Sequence, residues 1–168
     1  MPLSRTALAF LLLWGTLVSA PAAETRVPNA IAAPGETVVL TVQAEGAQVY
    51  ECKVGVDGKL GWAFREPIAT LMADGKTVGR HYAGPSWEHS DGSTVVGKVA
   101  ANAPGATPSD IPWLKLDVVS RRGNGILTSV TTVQRINTQG GKLEGACDKA
   151  GVLRSVSYSA DYVFLRRG

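Results

Sequence analysis

The chain is poor in the residues that build most catalytic centres. It has two cysteines, two histidines and two methionines among 168 residues. Two cysteines cannot make a zinc site alone, and neither histidine stands at finger spacing from them. There is no G-x-S-x-G elbow, no H-E-x-x-H pair, no Walker loop and no EF-hand loop. Gly123-Asn124-Gly125 lacks the third glycine of a dinucleotide loop, and no βαβ pattern surrounds it. Charge of one sign is also scarce. Lys and Arg total 17 against 14 Asp and Glu, a formal charge of +3. The basic pairs Arg121-Arg122 and Arg166-Arg167 are short and far apart in sequence, so they read as solvated turn and terminus residues. No nucleic-acid partner is expected.

The first segment carries an export pattern. Arg5 supplies a positive n-region, an apolar stretch covers 7–18, and Ala20-Pro21-Ala22 fits an A-x-A cleavage site. A stretch of roughly 12 apolar residues suits a signal h-region and is short for a spanning helix. Residues 1–22 are therefore read as a signal peptide, and 23–168 as one domain with no membrane insertion after cleavage. The expected destination is the periplasm or the medium. An oxidising compartment favours a bridge between Cys52 and Cys147, the alternative being two buried free thiols. A closed loop of roughly 100 residues is worth up to about 4.7 kcal/mol in the chain-entropy model.

After that segment no long amphipathic helix is legible. Glycine is frequent, 19 in the whole chain, and short runs rich in Val and Thr alternate with turn residues. In 47–54, Tyr50, Cys52 and Val54 share one face and Glu51 and Lys53 the other. In 111–120, Leu114, Leu116 and Val118 form an inner face opposite Trp113, Lys115 and Asp117. In 158–166, Tyr158, Ala160, Tyr162 and Phe164 line up. Turn signals stand at Asp57-Gly58, Asp74-Gly75, Asp91-Gly92 and Asn124-Gly125. The expected fold is all-β: a single-domain antiparallel β-sandwich or barrel of about eight strands. At most one short helix is expected, over 67–74, where Pro67 would stand at a first helical position.

One segment concentrates polar and aromatic chemistry. Residues 80–92, RHYAGPSWEHSDG, hold both histidines, His81 and His89, with Tyr82, Trp87, Glu88 and Asp91. In one reading the aromatics are core or rim residues and the polar groups satisfy a loop. In another, Trp87 and Tyr82 form a platform, with Glu88, His89 and Asp91 as polar contacts. Aromatic faces beside carboxylates suit a glycan or other cell-envelope ligand, and Trp62 and Trp113 could contribute. In a third, His81, Glu88 and His89 ligate a transition metal, although their spacing has no recognised geometry. No catalytic residue can be assigned and no cofactor is expected.

These residues also carry a family mark. The set G-A-Q-V-Y-E-C (46–52), W-x-F with a following Pro (Trp62, Phe64, Pro67), V-G-x-H-Y-A-G-P-x-W-E (78–88), D-G-S-x-V-x-G-K (91–98), I-P-W-L (111–114), V-Q-R-I-N-T-x-G-G (133–141) and Y-S-A-D-Y-x-F (158–164) spans almost all of 23–168. It resembles a family of exported bacterial and fungal proteins known only as a domain of unknown function. The resemblance implies export and an intact single domain, and brings no activity, cofactor or catalytic residue. Some fungal relatives carry a malate dehydrogenase label, which the missing nucleotide loop argues against here. The leading expectation is an exported β-domain that binds a carbohydrate-like envelope or extracellular ligand. The alternatives are a small hydrolase or metal-dependent enzyme built on 80–92, and a structural or stress-related envelope protein without a small-molecule site. The oligomeric state is open.

Overall fold

Alternating apolar and polar residues bury one face of each strand, and a closed sheet satisfies every backbone edge while doing so. The computed structural model, which describes residues 26–168, has this form. Eight antiparallel strands follow one another around a closed barrel. They are β1 (Thr37–Val54), β2 (Leu60–Ala73), β3 (Lys76–Tyr82), β4 (Ser86–His89), β5 (Thr94–Ala103), β6 (Trp113–Arg122), β7 (Thr132–Gly140) and β8 (Leu153–Arg166). Closure comes from β1 pairing with β8 from Thr37↔Arg166 to Glu51↔Leu153. The all-β expectation holds, and of its two architectures the barrel is the one formed. The signal peptide expected over 1–22 lies outside the described residues. Among the described residues no helix is long and apolar enough to cross a membrane, which says nothing of strands.

Two local expectations are corrected. The run 47–54 is not a strand by itself but the second half of one that starts at Thr37, because Gly46 lets β1 lie close against its neighbour: a Cβ there would overlap the Ile68 carbonyl. The short helix over 67–74 does not form. That segment is the second half of β2, where Ala69 and Leu71 point inward while Ile68 is exposed. The Asp74-Gly75 signal holds. Both residues take positive φ, 49° and 71°, and join β2 to β3 in the tightest link of the barrel. Asn124-Gly125, by contrast, opens a longer link that contains the 3₁₀ turn Ile126–Ser129.

That 3₁₀ turn plugs one end of the barrel. Leu127 and Val130 are buried, and the turn packs against β1, β5 and β6. Asp91 and Ser93 pin it: Ile126 N–H donates to Asp91 Oδ2 at 2.8 Å and Leu127 N–H to Ser93 Oγ at 3.2 Å. Above the plug the barrel is filled by Val42, Val95, Val133, Phe164, Leu71 and Leu116. A strap at 26–36 runs outside the barrel. Its Ile31 is fully buried against Ala103 and Ile136, and its carbonyl accepts from Gln134 Nε2 at 2.7 Å. The strap explains why the outward Gln134 and Ile136 of β7 are buried along with the inward residues.

At the opposite end Cys52 and Cys147 form a disulfide, with Cα atoms 5.9 Å apart. It holds the loop between β7 and β8 against the β1–β2 hairpin, where Trp62 N–H donates to Gly145 O and Cys147 N–H to Leu60 O. This end is not plugged.

Candidate functional site

The inward residues become polar toward the unplugged end. Strand β3 turns His81 into the barrel and β4 turns Trp87 in beside it, because the two are register partners and share a face. Their rings stack with centroids 4.6 Å apart and planes 9° apart. Tyr162 of β8 closes the layer, its ring 4.9 Å from His81 and 5.4 Å from Trp87. Gly97 makes room for this layer. A Cβ there would stand 3.0 Å from Trp87 Cζ3 and 3.2 Å from Leu116 Cβ, tighter than ordinary contact.

Above this floor lies a cavity of about 460 Å³ that opens at the barrel mouth. Leu114, Leu116, Phe64, Pro67, Pro85 and Val99 give it a largely apolar wall. The polar lining groups are few: Gln48, Tyr50, His81, Arg65, Arg135 and Tyr162. Such a mixture, an apolar wall with a few convergent polar groups in the mouth of a barrel, is what small-molecule sites look like. Eight strands leave an interior that side chains can fill or that can hold one small ligand, and here the lower half is filled and the upper half is not.

The charge state of the lining is set by burial. Desolvation pushes the His81 imidazole down to about 3, against the raising effect of its hydrogen bond to the Ser86 carbonyl and with Arg135 adding to the fall. The ring is neutral at pH 7. Its Nδ1–H donates to Ser86 O at 2.8 Å, which fixes Nε2 as an acceptor. Burial also raises the phenols of Tyr162, Tyr158 and Tyr50, so all three stay protonated. Tyr50 Oη–H donates to Gly141 O at 2.8 Å, and the Tyr158 and Tyr162 hydroxyls meet at 3.4 Å.

Against these neutral groups stands one buried permanent cation. Arg135 of β7 is 9% exposed, the one Asp, Glu, Lys or Arg among the described residues that is buried. Its Nε and Nη2 donate to the Pro112 carbonyl at 3.1 and 2.8 Å. The Tyr162 hydroxyl lies near the guanidinium. No carboxylate among the described residues pairs with it. Gln48 carries an unsatisfied donor. Its side chain is near the Tyr158 hydroxyl, yet Nε2 has no acceptor in hydrogen-bonding geometry although the residue is only 2% exposed.

Residues 32–166 match the family described as "Protein of unknown function (DUF3455)". The chain belongs to the DUF3455 family. No curated protein and no solved structure matches it. Family membership agrees with the resemblance to a domain of unknown function and assigns no ligand or reaction to the DUF3455 barrel.

The barrel distributes the six residues of the 80–92 cluster over three places. His81 and Trp87 are inside, at the floor of the cavity. Tyr82 and Glu88 are on the outer wall: Arg80 Nη2 pairs with Glu88 Oε2 at 3.0 Å, Tyr82 Oη–H donates to the same oxygen at 3.2 Å, and the Arg80 guanidinium lies over the Tyr82 ring. His89 and Asp91 are at the plugged end, with His89 Nδ1 3.1 Å from Asp91 Oδ2. Strand alternation is the physical reason, since neighbours in β3 and β4 point to opposite faces. His81, Glu88 and His89 therefore do not converge, and among the described residues no group of three or more His, Cys, Asp or Glu could hold a metal ion. Trp87 offers no face to a sugar, being 1% exposed. Asp91 is a structural acceptor. Desolvation tends to raise its carboxyl, but hydrogen bonds from Ser93 and Ile126 hold it well below the usual carboxylate range.

The groups that the reading of 80–92 leaves out are Gln48 and Arg135. A signal for both was present. Each has the parity of inward apolar residues, Gln48 with Tyr50 and Cys52, and Arg135 with Val133. A polar residue at an inward position is the informative kind of exception. A separate depression of about 520 Å³ lies on the flank, where β7 bulges from β8 at Asn137 and Thr138. Trp113 contributes there, but no buried cation does.

Proposed function

We propose that this domain is an exported binding protein for a small organic ligand, taken up end-on into the mouth of the barrel. The observation that carries this reading is the half-filled interior: a cavity of about 460 Å³ above a rigid aromatic floor, among whose lining groups Gln48 Nε2 and Trp87 Nε1 are buried without a protein partner. Interiors are normally packed to crystal-like density, and buried polar groups are normally hydrogen bonded. A bound molecule would satisfy both. The disulfide supports export, since such bonds persist in oxidising compartments. The carbohydrate-like ligand expected on the strength of an exposed Trp87 platform gives way to a more apolar one, because the wall is largely aliphatic and aromatic.

Titration of the purified protein with the neutral fluorophore Nile red tests the site. Saturable one-to-one binding is expected, and Leu114→Trp, which fills the cavity, should remove it while the circular dichroism spectrum stays unchanged. Absence of binding to the unaltered protein, or binding unaffected by Leu114→Trp, would refute the cavity as the site.

A further inference from the structure

We infer that the ligand of this cavity is an organic acid: a carboxylate on a compact apolar body, with Arg135 as the residue that binds its charge. The inference deepens the binding reading above and rests on it.

Taking a guanidinium out of water costs several kcal/mol even after relaxation, and folded proteins offset this with a paired anion. Arg135 has none among the described residues. One carbonyl, Pro112 O, takes the Nε and Nη2 hydrogens, and every titratable group around it inside the barrel is neutral: His81 through burial, and Tyr50, Tyr158 and Tyr162 as phenols. The charge faces a cavity and not a neighbour. The nearby neutral donors, the Tyr162 hydroxyl and the unpartnered Gln48 Nε2, suit further acceptor oxygens on the same head group.

The chemistry selects a carboxylate over a phosphate. Arg135 is the single charge buried in this interior, and Arg65, the other cationic residue lining the cavity, is exposed. One planar fork matches one planar monoanion, whereas a dianion would leave a buried charge unmatched. The rest of the molecule must fill an apolar space of about 460 Å³ between the Leu114, Pro67 and Pro85 side chains, above a floor of packed rings that does not yield, which suits a rigid ring system better than a flexible chain.

The test uses matched acid and amide pairs on benzene, naphthalene and biphenyl bodies, titrated calorimetrically into the purified protein at pH 7. For the best-fitting body the acid is expected to bind at least about tenfold more tightly than its amide, the size of one charge-assisted hydrogen bond. Arg135→Met should erase the preference and leave acid and amide alike, and Arg135→Lys should restore part of it. Equal binding of acid and amide to the unaltered protein overturns the inference and needs no variant, so misfolding of Arg135→Met cannot obscure the result. A preference that survives Arg135→Met also overturns it. Binding of amides or of Nile red without tighter binding of any acid leaves the cavity reading standing and removes this one. If none of the probes binds, both fall.

Discussion

The imidazole of His81 lies flat on the indole of Trp87, 4.6 Å between centroids and 9° between planes, and both rings are sealed inside the barrel. Two residues that in sequence look like parts of an exposed site are thus the base of one. The stack separates a closed apolar half of the barrel from an open, partly polar half.

Removal of the larger ring should be felt by the whole fold. Trp87→Ala deletes a side chain that is 1% exposed and touches Tyr162 and Phe164 edge-on. A loss of about 3–5 kcal/mol is expected in urea unfolding, typical of a buried aromatic truncated to alanine. A loss under about 1 kcal/mol, the scale of ordinary surface changes, would mean that the indole is not packed as described.

His81 makes stability depend on pH. Its pKa is about 3 in the folded barrel, where Arg135 and the protonated Tyr162 face it, and about 6.5 when unfolded. The unfolded chain therefore binds the extra proton between these values. The neutral ring's contribution is complete above pH 6.5 and is lost as pH falls toward 3, at up to about 1.4 kcal/mol per pH unit. Melting temperature should fall from pH 6.5 to 4.5 and His81→Phe should flatten that limb. Below this, Asp91, Asp110 and Glu88, whose carboxyls are held low, add their own losses. The direct check is the His81 ring signal in an NMR titration, which should stay that of a neutral imidazole down to pH 5. A midpoint near 6.5 would contradict its burial.

The disulfide should matter to stability because of where it acts. Cys52 and Cys147 tie the β7–β8 loop to the strand pair that closes the barrel. Cys52→Ser with Cys147→Ser should lower unfolding free energy by about 2–5 kcal/mol. Free-thiol titration of unreduced, denatured protein should detect no thiol. Two thiols would refute the bridge.

The two acidic residues of the 80–92 cluster should behave differently. Asp91 accepts from Ser93 N, Ser93 Oγ and Ile126 N at 2.9, 2.6 and 2.8 Å, so Asp91→Ala should cost about 1–2 kcal/mol and loosen the plug. Glu88→Ala removes a surface pair with Arg80 and should leave stability unchanged within error. Hydrogen exchange at Ile126 and Leu127 reads the first effect directly. Equal effects of the two substitutions would show that the plug is not held through Asp91.

Legibility varied by element for physical reasons. In β8 every second residue from Tyr158 to Phe164 is apolar and all four are buried, so period-two alternation alone identifies the strand and its inner face. In β2 the pattern is blurred. Ile68 is exposed and Pro67 opens the segment, so a stretch that reads as a short helix is a strand. In β7 the outward Gln134 and Ile136 are covered by the strap, and a strand buried on both faces loses its alternation. For the 80–92 cluster, proximity along the chain suggested one site, while adjacent strand residues face opposite ways.

Composition, strand alternation and turn chemistry by themselves determined an all-β domain and the inner faces of β6 and β8, and left the two cysteines between a bridge and two free thiols until the fold brought them together. The first two are local or compositional properties: overall composition and a residue's parity in a strand do not depend on distant partners. Closure was decided only by the tertiary structure. Pairing β1 with β8 joins segments more than a hundred residues apart, and no local pattern distinguishes a barrel from a sandwich. Closure also made the site. It brought Gln48, His81, Arg135 and Tyr162 from four strands into one low-dielectric interior, where a histidine becomes neutral and an arginine has no counter-ion among the described residues.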